Sequence, residues 1–222
     1  MLAGEAVVAI WTSIVPESRD QHCDWFINEH SLERVGIPGF RRGRRCSAAD
    51  LVTSPDLFAL FEADSMQVLQ GSDYANRLNN PTPATKFLMT RAHGETFRVM
   101  ARVGFSHGPG IGGMVLTIRF ACEDEHLPAL RAVVLAAATE PRVTGAHLCI
   151  GNVEASAVRT AESRDRSDIQ VPHLFIMVEA TDAAALANIL PDALLIRAGA
   201  PRPFVRGVYR LEYVRTKTGF AP

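Results

Sequence analysis

The stretch Pro38-Gly-Phe-Arg-Arg-Gly-Arg-Arg-Cys46 has a counterpart 103 residues further along the chain, Pro141-Arg-Val-Thr-Gly-Ala-His-Leu-Cys149. Two more pairs follow in the same order: Leu57-Phe58 with Glu62-Ala63 match Leu174-Phe175 with Glu179-Ala180, and Arg98 with Arg102 match Arg206 with Arg210. The spacing between partners changes only where loops are expected, and a duplicated chain tolerates insertions there. The matches predict two diverged copies of one module.

Each copy is predicted to fold as strand, helix, strand, strand, helix, strand, which is the ferredoxin-like βαββαβ module. The strands are expected at Ala6–Ile14, Phe40–Ala48, Leu57–Ala63 and Phe97–Phe105, then at Met114–Ala121, Val143–Ile150, Leu174–Ala180 and Val205–Val214. The helices are expected at Ser18–Val35, Ser65–Leu78, Glu125–Thr139 and Ala183–Leu190. The two modules would span residues 1–107 and 114–222, joined by a glycine-rich linker at 108–113.

Several of these strands are apolar on both faces. In the first strand Val7, Ala9 and Trp11 point one way, while Val8 and Ile10 point the other. A sheet with helices on one side only would leave one of these sets in water. We therefore predict an α+β fold of two tandem ferredoxin-like modules whose antiparallel sheets pair as an intramolecular pseudo-dimeric α+β barrel.

The composition excludes several classes of function. The 222 residues carry a formal net charge of -1, which argues against a nucleic-acid partner. Residues 1–20 lack a basic segment and are predicted to form a strand rather than a signal peptide. No stretch has the ~18 apolar residues of a membrane span, so no membrane partner is expected. The four cysteines form no C-x-x-C pair, which favours reduced thiols in the cytoplasm. Homodimerisation stays open.

The run Trp25-Phe-Ile-Asn-Glu-His-Ser-Leu-Glu-Arg34, followed by Pro38-Gly-Phe40, resembles the first helix and turn of EthD-like proteins. Leu57-Phe-Ala-Leu-Phe-Glu62 resembles their third strand. The resemblance covers about the first 105 residues, and the second half is similar in architecture only. It implies the dimeric α+β barrel superfamily, which includes monooxygenases, isomerases, dehydratases and decarboxylases acting on small hydrophobic molecules. The fold is thus implied, but no single reaction is.

Two glycine motifs match known patterns by letter. Gly104-Phe-Ser-His-Gly108 fits the G-x-S-x-G nucleophile elbow, but an elbow needs a helix after the serine, and a strand is expected here. Gly108-Pro-Gly-Ile-Gly-Gly113 fits G-x-G-x-x-G, but that fingerprint must open a helix. We interpret the first as a chance match and the second as the linker. The seven histidines show no metal-ligand spacing, so neither a metal nor a cofactor is predicted.

His30 is the candidate catalytic residue. It shares a face of the first helix with Phe26 and Glu33. At a pocket edge, an imidazole with its ordinary pKa of about 6.5 would transfer protons at neutral pH. The structural alternative is that His30 bonds Glu33 or a backbone carbonyl. The second copy lacks the Glu-His pair and carries aliphatic residues instead. A cavity is therefore expected beside the first helix, and the matching space in the second copy should be filled or smaller.

Arg42 and Arg44 share a strand face with Phe40 and Cys46, which prefer burial. An inward arginine needs an anionic partner, either a protein carboxylate such as Glu33 or Glu62 or the acid group of a ligand. A structural ion pair is the favoured interpretation, and loss of either arginine should then cost about 1–3 kcal/mol.

The leading functional hypothesis is binding of a small hydrophobic or aromatic molecule, carrying an acid group, in the N-terminal module. Candidate binding residues are Trp11, Trp25, Phe26, Arg34, Arg42, Arg44 and Tyr74. An enzyme built this way would perform cofactor-independent acid–base chemistry (isomerisation, dehydration, or oxygenation in which the substrate activates oxygen). The competing hypothesis is a non-catalytic binding or structural barrel. The polar insertion at roughly 154–168 is either a surface helix or a lid.

Overall fold

Eight antiparallel strands close into one barrel in the computed structural model, which describes residues 1–164 and 169–218. The strands are β1 Ala6–Ile14, β2 Phe40–Ala48, β3 Leu57–Ala63, β4 His93–His107, β5 Met114–Phe120, β6 Val143–Gly151, β7 Leu174–Ala180 and β8 Val205–Thr216. Their order around the barrel is β1-β3-β2-β8-β5-β7-β6-β4. Each half of the chain thus contributes four adjacent strands in the same relative order. The predicted fold class is confirmed.

The strand predictions hold best where apolar residues dominate. The bounds of β1, β2, β3 and β7 are those predicted. β4 begins at His93 rather than Phe97, because its polar first residues pair with the end of β1, where Ile14 faces His93. Residues 108–113, between β4 and β5, are neither helix nor strand. The module boundaries, the duplication and the EthD-like resemblance stay predictions.

The helices differ more from the prediction. They are α1 Arg19–Trp25, α2 Ser31–Gly36, α3 Met66–Gln70, α4 Ser72–Asn79, α5 Pro83–Arg91, α6 Leu127–Ala138, α7 Val153–Ala157 and α8 Asp192–Arg197. A π-helical turn, Phe26–His30, joins α1 to α2. The sequence prediction missed α5 and α8, and only a short 3-10 turn lies in Ala183–Leu190. α7 lies at the start of the insertion, for which a helix was one of two alternatives. Thr82 caps α5 by accepting from the Thr85 amide, with Pro83 in the first turn, a signal that the prediction overlooked.

Three apolar layers result from this arrangement. Trp11, Phe58, Phe175 and Tyr209 pack inside the barrel with smaller side chains. The outer face of the N-terminal strands packs against α1 to α5, and the outer face of the C-terminal strands packs against α6 and α8. The central strands β3 and β7 are buried along their whole length. Closure of the barrel therefore covers the second apolar face, as the strand pattern predicted.

The inward arginines have carboxylate partners inside the barrel. Arg44 lies 2.9 Å from Glu62 and 2.6 Å from Glu179. Arg42 binds both carboxylate oxygens of Glu62, at 2.8 and 2.7 Å. The predicted partner Glu62 is confirmed, whereas Glu33 is wrong because it lies on α2, on the outer side of the sheet, and binds Arg77 at 2.8 Å.

Substitution of Arg44 by Met should lower the free energy of unfolding by about 3–5 kcal/mol at pH 7. This exceeds the about 1–3 kcal/mol expected for one ion pair, because two buried carboxylates lose their shared cation. Burial raises the pKa of Glu179, but Arg44 and His147 outweigh it and hold the pKa at about 2. That stabilisation is present above the unfolded pKa of about 4.3 and is lost as the pH falls through the folded value. The difference between variant and parent in urea unfolding should therefore shrink below pH 4.

The matched control is Arg41→Met, which breaks an exposed ion pair with Asp64 and should change stability little. Equal losses in the two variants would contradict the assignment of a structural role to the interior pair.

Candidate functional site

A cavity of about 460 Å³ lies between the N-terminal strands and the helices that cover them. Its floor is the outer face of the sheet, with Ile10, Ala59, Phe61 and Met100. The cavity lies beside the helix that carries His30, where the sequence predicted one. Apolar side chains make most of the wall, a composition typical of small-molecule sites.

His30 lies in the wall of this cavity within a layer of aromatic rings. Its ring centroid is 4.3 Å from Trp25 and 5.5 Å from both Phe26 and Phe61. The residue is only 4% exposed, and no described residue bonds its buried Nδ1 atom. Glu33 binds Arg77 instead, so the structural alternative of a His30–Glu33 bond is not seen. His30 also ends the π-helical turn, and such turns are frequent at functional sites.

The expected pKa of His30 is wrong. Burial, and then the nearby Arg34 guanidinium, lower the pKa of His30 well below its ordinary 6.5. Burial and Arg45 likewise lower the pKa of His22, a second wall residue, to about 3. Both imidazoles are neutral at pH 7. They can exchange hydrogen bonds with a ligand, and they do not add charge to the wall.

Arg34 supplies a buried positive charge to the cavity. It is 2% exposed, and its Nη2 donates to a carboxylate oxygen of Glu162. The other terminal nitrogen, Nη1, lies 4.0 Å from Glu33 and has no hydrogen-bond partner among the described residues. A buried guanidinium with an unused N–H is a ready partner for an anionic group.

Glu162 belongs to a strap, residues 153–164, that comes from the second half of the chain and lies over the cavity of the first. The strap begins with α7, and Asn152 caps this helix by accepting from the Ala155 amide. Further along, the Glu162 amide donates to the Leu78 carbonyl, and the Ala161 amide donates to Asn79. The insertion, for which either a surface helix or a lid was expected, thus begins with a short helix and lies over the cavity, and its role as a lid stays a prediction. The end of the predicted insertion, 165–168, lies outside the described residues.

The structure brings five of the predicted site residues together around the cavity: Trp25, Phe26, His30, Arg34 and Tyr74. Trp11, Arg42 and Arg44 do not line it, because they point into the barrel from the other face of the sheet. Trp11 packs on Phe58 and Phe175 and donates to Thr117, while both arginines bind Glu62. Alternation along the strands, together with β-bulges, decides which face each side chain takes.

His22, His93 and Arg98 are among the polar wall residues that sequence reasoning missed. The His22 and His93 rings lie 5.1 Å apart, and Arg98 donates to the Tyr74 hydroxyl at 3.1 Å. His22 stands eight residues before His30 on the same helical run. This spacing of just over two turns places both histidines near one face of the helix, so it could have indicated His22 as a wall residue. His93 and Arg98 come from β4, and nothing local in the sequence pointed to them.

The corresponding space in the second half is filled. Leu130, Val134 and Ala137 of α6 pack directly on Leu116, Ile118 and their neighbours on the sheet. The expected asymmetry between the two halves is therefore present. Among the described residues no three His, Cys, Asp or Glu side chains are arranged to hold a metal ion. The same residues include no helix with the length and apolarity needed to cross a membrane.

No family model and no curated protein sequence matches the chain. Solved structures do match. The crystal structure of an anthrone oxidase-like protein has a TM-score of 0.62 at 14% identity, over 95% of this chain and 92% of that one. Two proteins named "putative monooxygenase" each have a TM-score of 0.57. The protein from Fusobacterium nucleatum subsp. nucleatum is 9% identical, over 99% of this chain and 98% of that one. The protein from Lactobacillus acidophilus NCFM is 10% identical, over 96% of both. At these identities the likeness shows the fold.

Acidification should destabilise the protein through His22. Its pKa is depressed in the folded state, so the unfolded chain binds a proton below about pH 6.5 that the folded chain excludes. The free energy of unfolding should fall by about 1–2 kcal/mol from this residue alone between pH 7.5 and pH 5. His22→Gln should make the fall shallower in urea titrations, while the exposed His173→Gln should leave it as steep as in the parent. An equal slope for all three proteins would contradict this.

Proposed function

We propose that the N-terminal cavity binds a small aromatic or hydrophobic acid, and that His30 transfers a proton to or from that ligand. The observation that carries the proposal is the pairing of an apolar, ring-lined cavity with two unused polar atoms, His30 Nδ1 and Arg34 Nη1. A buried polar atom without a partner is costly, and a ligand that satisfies both atoms would gain affinity and orientation.

The charge of the wall supports an acid rather than a neutral or basic ligand. Among the residues that the structure describes, three arginines line the cavity (Arg34, Arg98 and Arg159), against one carboxylate, Glu162. The two histidines with depressed pKa values, His22 and His30, are neutral. The described part of the wall therefore has a net positive charge, and Glu162 occupies one oxygen position on Arg34 that a ligand carboxylate would also fit.

The depressed pKa of His30 limits the chemistry that it can perform. A neutral imidazole accepts a proton readily only when the resulting cation is compensated. An anion formed on the ligand beside His30 would provide that compensation, since proton transfer would convert a neutral pair into an ion pair. This favours substrates with an acidic C–H or O–H, as isomerisation, dehydration or substrate-activated oxygenation requires. The likeness to proteins named as oxidases or monooxygenases supports the fold behind this proposal, not the reaction.

Small aromatic carboxylic acids should raise the melting temperature, and the matched amides should do so less. A ligand at 100 times its Kd adds about 2.7 kcal/mol of stability. Because Arg34 would bind the carboxylate, Arg34→Met should remove the preference of about tenfold for acid over amide. Glu162→Gln should strengthen acid binding, since the variant frees Arg34 from its internal competitor. Thermal shift and calorimetry measure both effects.

Arg142→Met is the control for this experiment, because Arg142 is exposed on the other half and pairs with Asp182. If Arg34→Met and Glu162→Gln weaken acid and amide binding alike, Arg34 is a structural residue and the acid proposal fails.

If one of the tested aromatic acids is turned over, His30→Gln should slow that turnover by a factor of about 10²–10⁴, while the acid still binds. Glutamine is preferable to alanine because the His30 ring is buried against Trp25, so an alanine would open a void. His126→Gln, on the second half, is the matched control. Binding without turnover in the parent would support the competing hypothesis of a non-catalytic binding protein.

A further inference from the structure

A second polar cluster lies inside the barrel, on the face of the sheet opposite the cavity. The Ser106 hydroxyl oxygen is 2.9 Å from His147 Nδ1, and His147 Nε2 is 3.0 Å from a carboxylate oxygen of Glu179. Ser106 is the serine of the G-x-S-x-G stretch, which lacks the helix that a nucleophile elbow requires after the serine. The structure confirms that no helix follows, but it brings a histidine and a carboxylate to this serine from two other strands.

Strand register makes this arrangement a property of the barrel. Ser106 on β4 is the direct cross-strand partner of His147 on β6. On β7 the partner of His147 is Met177, so Glu179 stands one pleat further along the same face. A shift in register between Val103 and Phe105 turns Ser106 toward the barrel interior. Three neighbouring strands therefore hold the three side chains in one diagonal row.

Gly145 provides the space that the histidine ring needs. It is the cross-strand partner of Glu179, and a Cβ atom there would lie 2.9 Å from His147 Nε2. Without a side chain at this position the imidazole can lie across the strand and reach the carboxylate. Any larger residue would push the ring away from Glu179.

The protonation of the row follows from its partners. Glu179 stays ionised because Arg44 binds its second oxygen at 2.6 Å, so the carboxylate can only accept hydrogen bonds. His147 Nε2 must then carry the proton, which leaves Nδ1 as an acceptor for the Ser106 hydroxyl. The Leu2 amide donates to Ser106 Oγ at 3.0 Å, which favours the same direction of donation. The hydroxyl proton thus points at an imidazole lone pair, as in serine hydrolases, although the two ring nitrogens have exchanged roles.

The serine lies at the outer, less buried end of the row. His147 and Glu179 are 0% and 1% exposed, whereas Ser106 is half-buried beneath Leu2, close to the chain end. Two arginines and two glutamates balance the charge inside the barrel without help from the serine or the histidine: Arg42, Arg44, Glu62 and Glu179. Neither the serine nor the oriented histidine adds to that balance.

We propose that Ser106 is a nucleophile that takes acyl groups from small esters, with His147 as its base and Glu179 as the residue that positions this base. Ser106 Oγ bonds to the acyl carbon while its proton moves to His147 Nδ1. The bond to the alcohol oxygen then breaks, and the alcohol leaves with that proton. Water attacks the acyl-serine through the same base, releasing the carboxylic acid and restoring the serine. The half-buried position of Ser106 favours short acyl groups.

The test uses the full chain, a fluorophosphonate probe and p-nitrophenyl acetate. We expect one covalent label per chain, located on Ser106 by peptide mass spectrometry, with fluoride displaced from phosphorus. Ser106→Ala should remove the label and the release of p-nitrophenol. His147→Gln should slow labelling by about 100-fold, because the general base is lost.

A second variant covers the case in which His147→Gln does not fold. Gly145→Ala keeps the histidine but displaces its ring, so labelling should fall at least tenfold. Gly113→Ala is its matched control, because a Cβ there would meet its nearest neighbour, the Thr181 carbonyl oxygen, at 3.6 Å. Leu2→Gly reduces the cover over Ser106 and should speed labelling. Circular dichroism checks the fold of each variant.

Labelling of Ser106 that depends on His147 or on Gly145 supports the proposal, and so does labelling seen only in Leu2→Gly. No label on Ser106 in either the parent or Leu2→Gly would overturn it. Labelling at the same rate in His147→Gln, or in Gly145→Ala, would also overturn it, since the row would then be structural. None of these results bears on the cavity beside His30, which lies on the other face of the sheet.

Discussion

Closure of eight strands into one barrel buries the inner face of every strand, and the helices cover the outer faces. The strands in the middle of each half must therefore be buried on both faces. β3 and β7 meet this requirement along their whole length. A charge on an inward position is costly unless a partner inside the barrel compensates it, because burial removes its water. Arg44 does so between Glu62 and Glu179, which come from different halves of the chain. The ion pairs that balance the interior charge thus link the two halves.

The two halves use equivalent inward positions differently. On the first half, Arg44 of β2 lies beside Glu62 of β3. On the second half, His147 of β6 lies beside Glu179 of β7. An arginine is always charged and can only donate, whereas a neutral histidine holds one nitrogen free to accept. The same place in the fold therefore gives a fixed ion pair on one side and an oriented imidazole on the other. Because of that difference, Ser106 has a histidine nitrogen beside it that can accept its hydrogen bond.

The outer faces show a second asymmetry. In the first half a π-helical turn and a set of rings leave a cavity with polar atoms in its wall, whereas aliphatic side chains of α6 fill the matching space in the second half. The strap over the cavity belongs to the second half, and Glu162 ties it to Arg34. A single βαββαβ module could not form this enclosed site. The cavity is therefore a property of the joined chain.

The local sequence pattern determined the strands of this protein and the faces that they bury. Two-sided apolar runs predicted the strands and their closure, because alternation and burial act within a few residues. Cys46 correctly indicated that Arg42 and Arg44 point inward, whereas Phe40 faces the helices because the register shifts between Phe40 and Arg42. Tertiary structure decided the rest. His93 and Arg98 join the wall from β4, and burial beside Arg34 sets the charge state of His30. The row from Ser106 to Glu179 depends on register between strands more than thirty residues apart. Desolvation and register arise only when distant segments pack, so no local pattern in the sequence could reveal them.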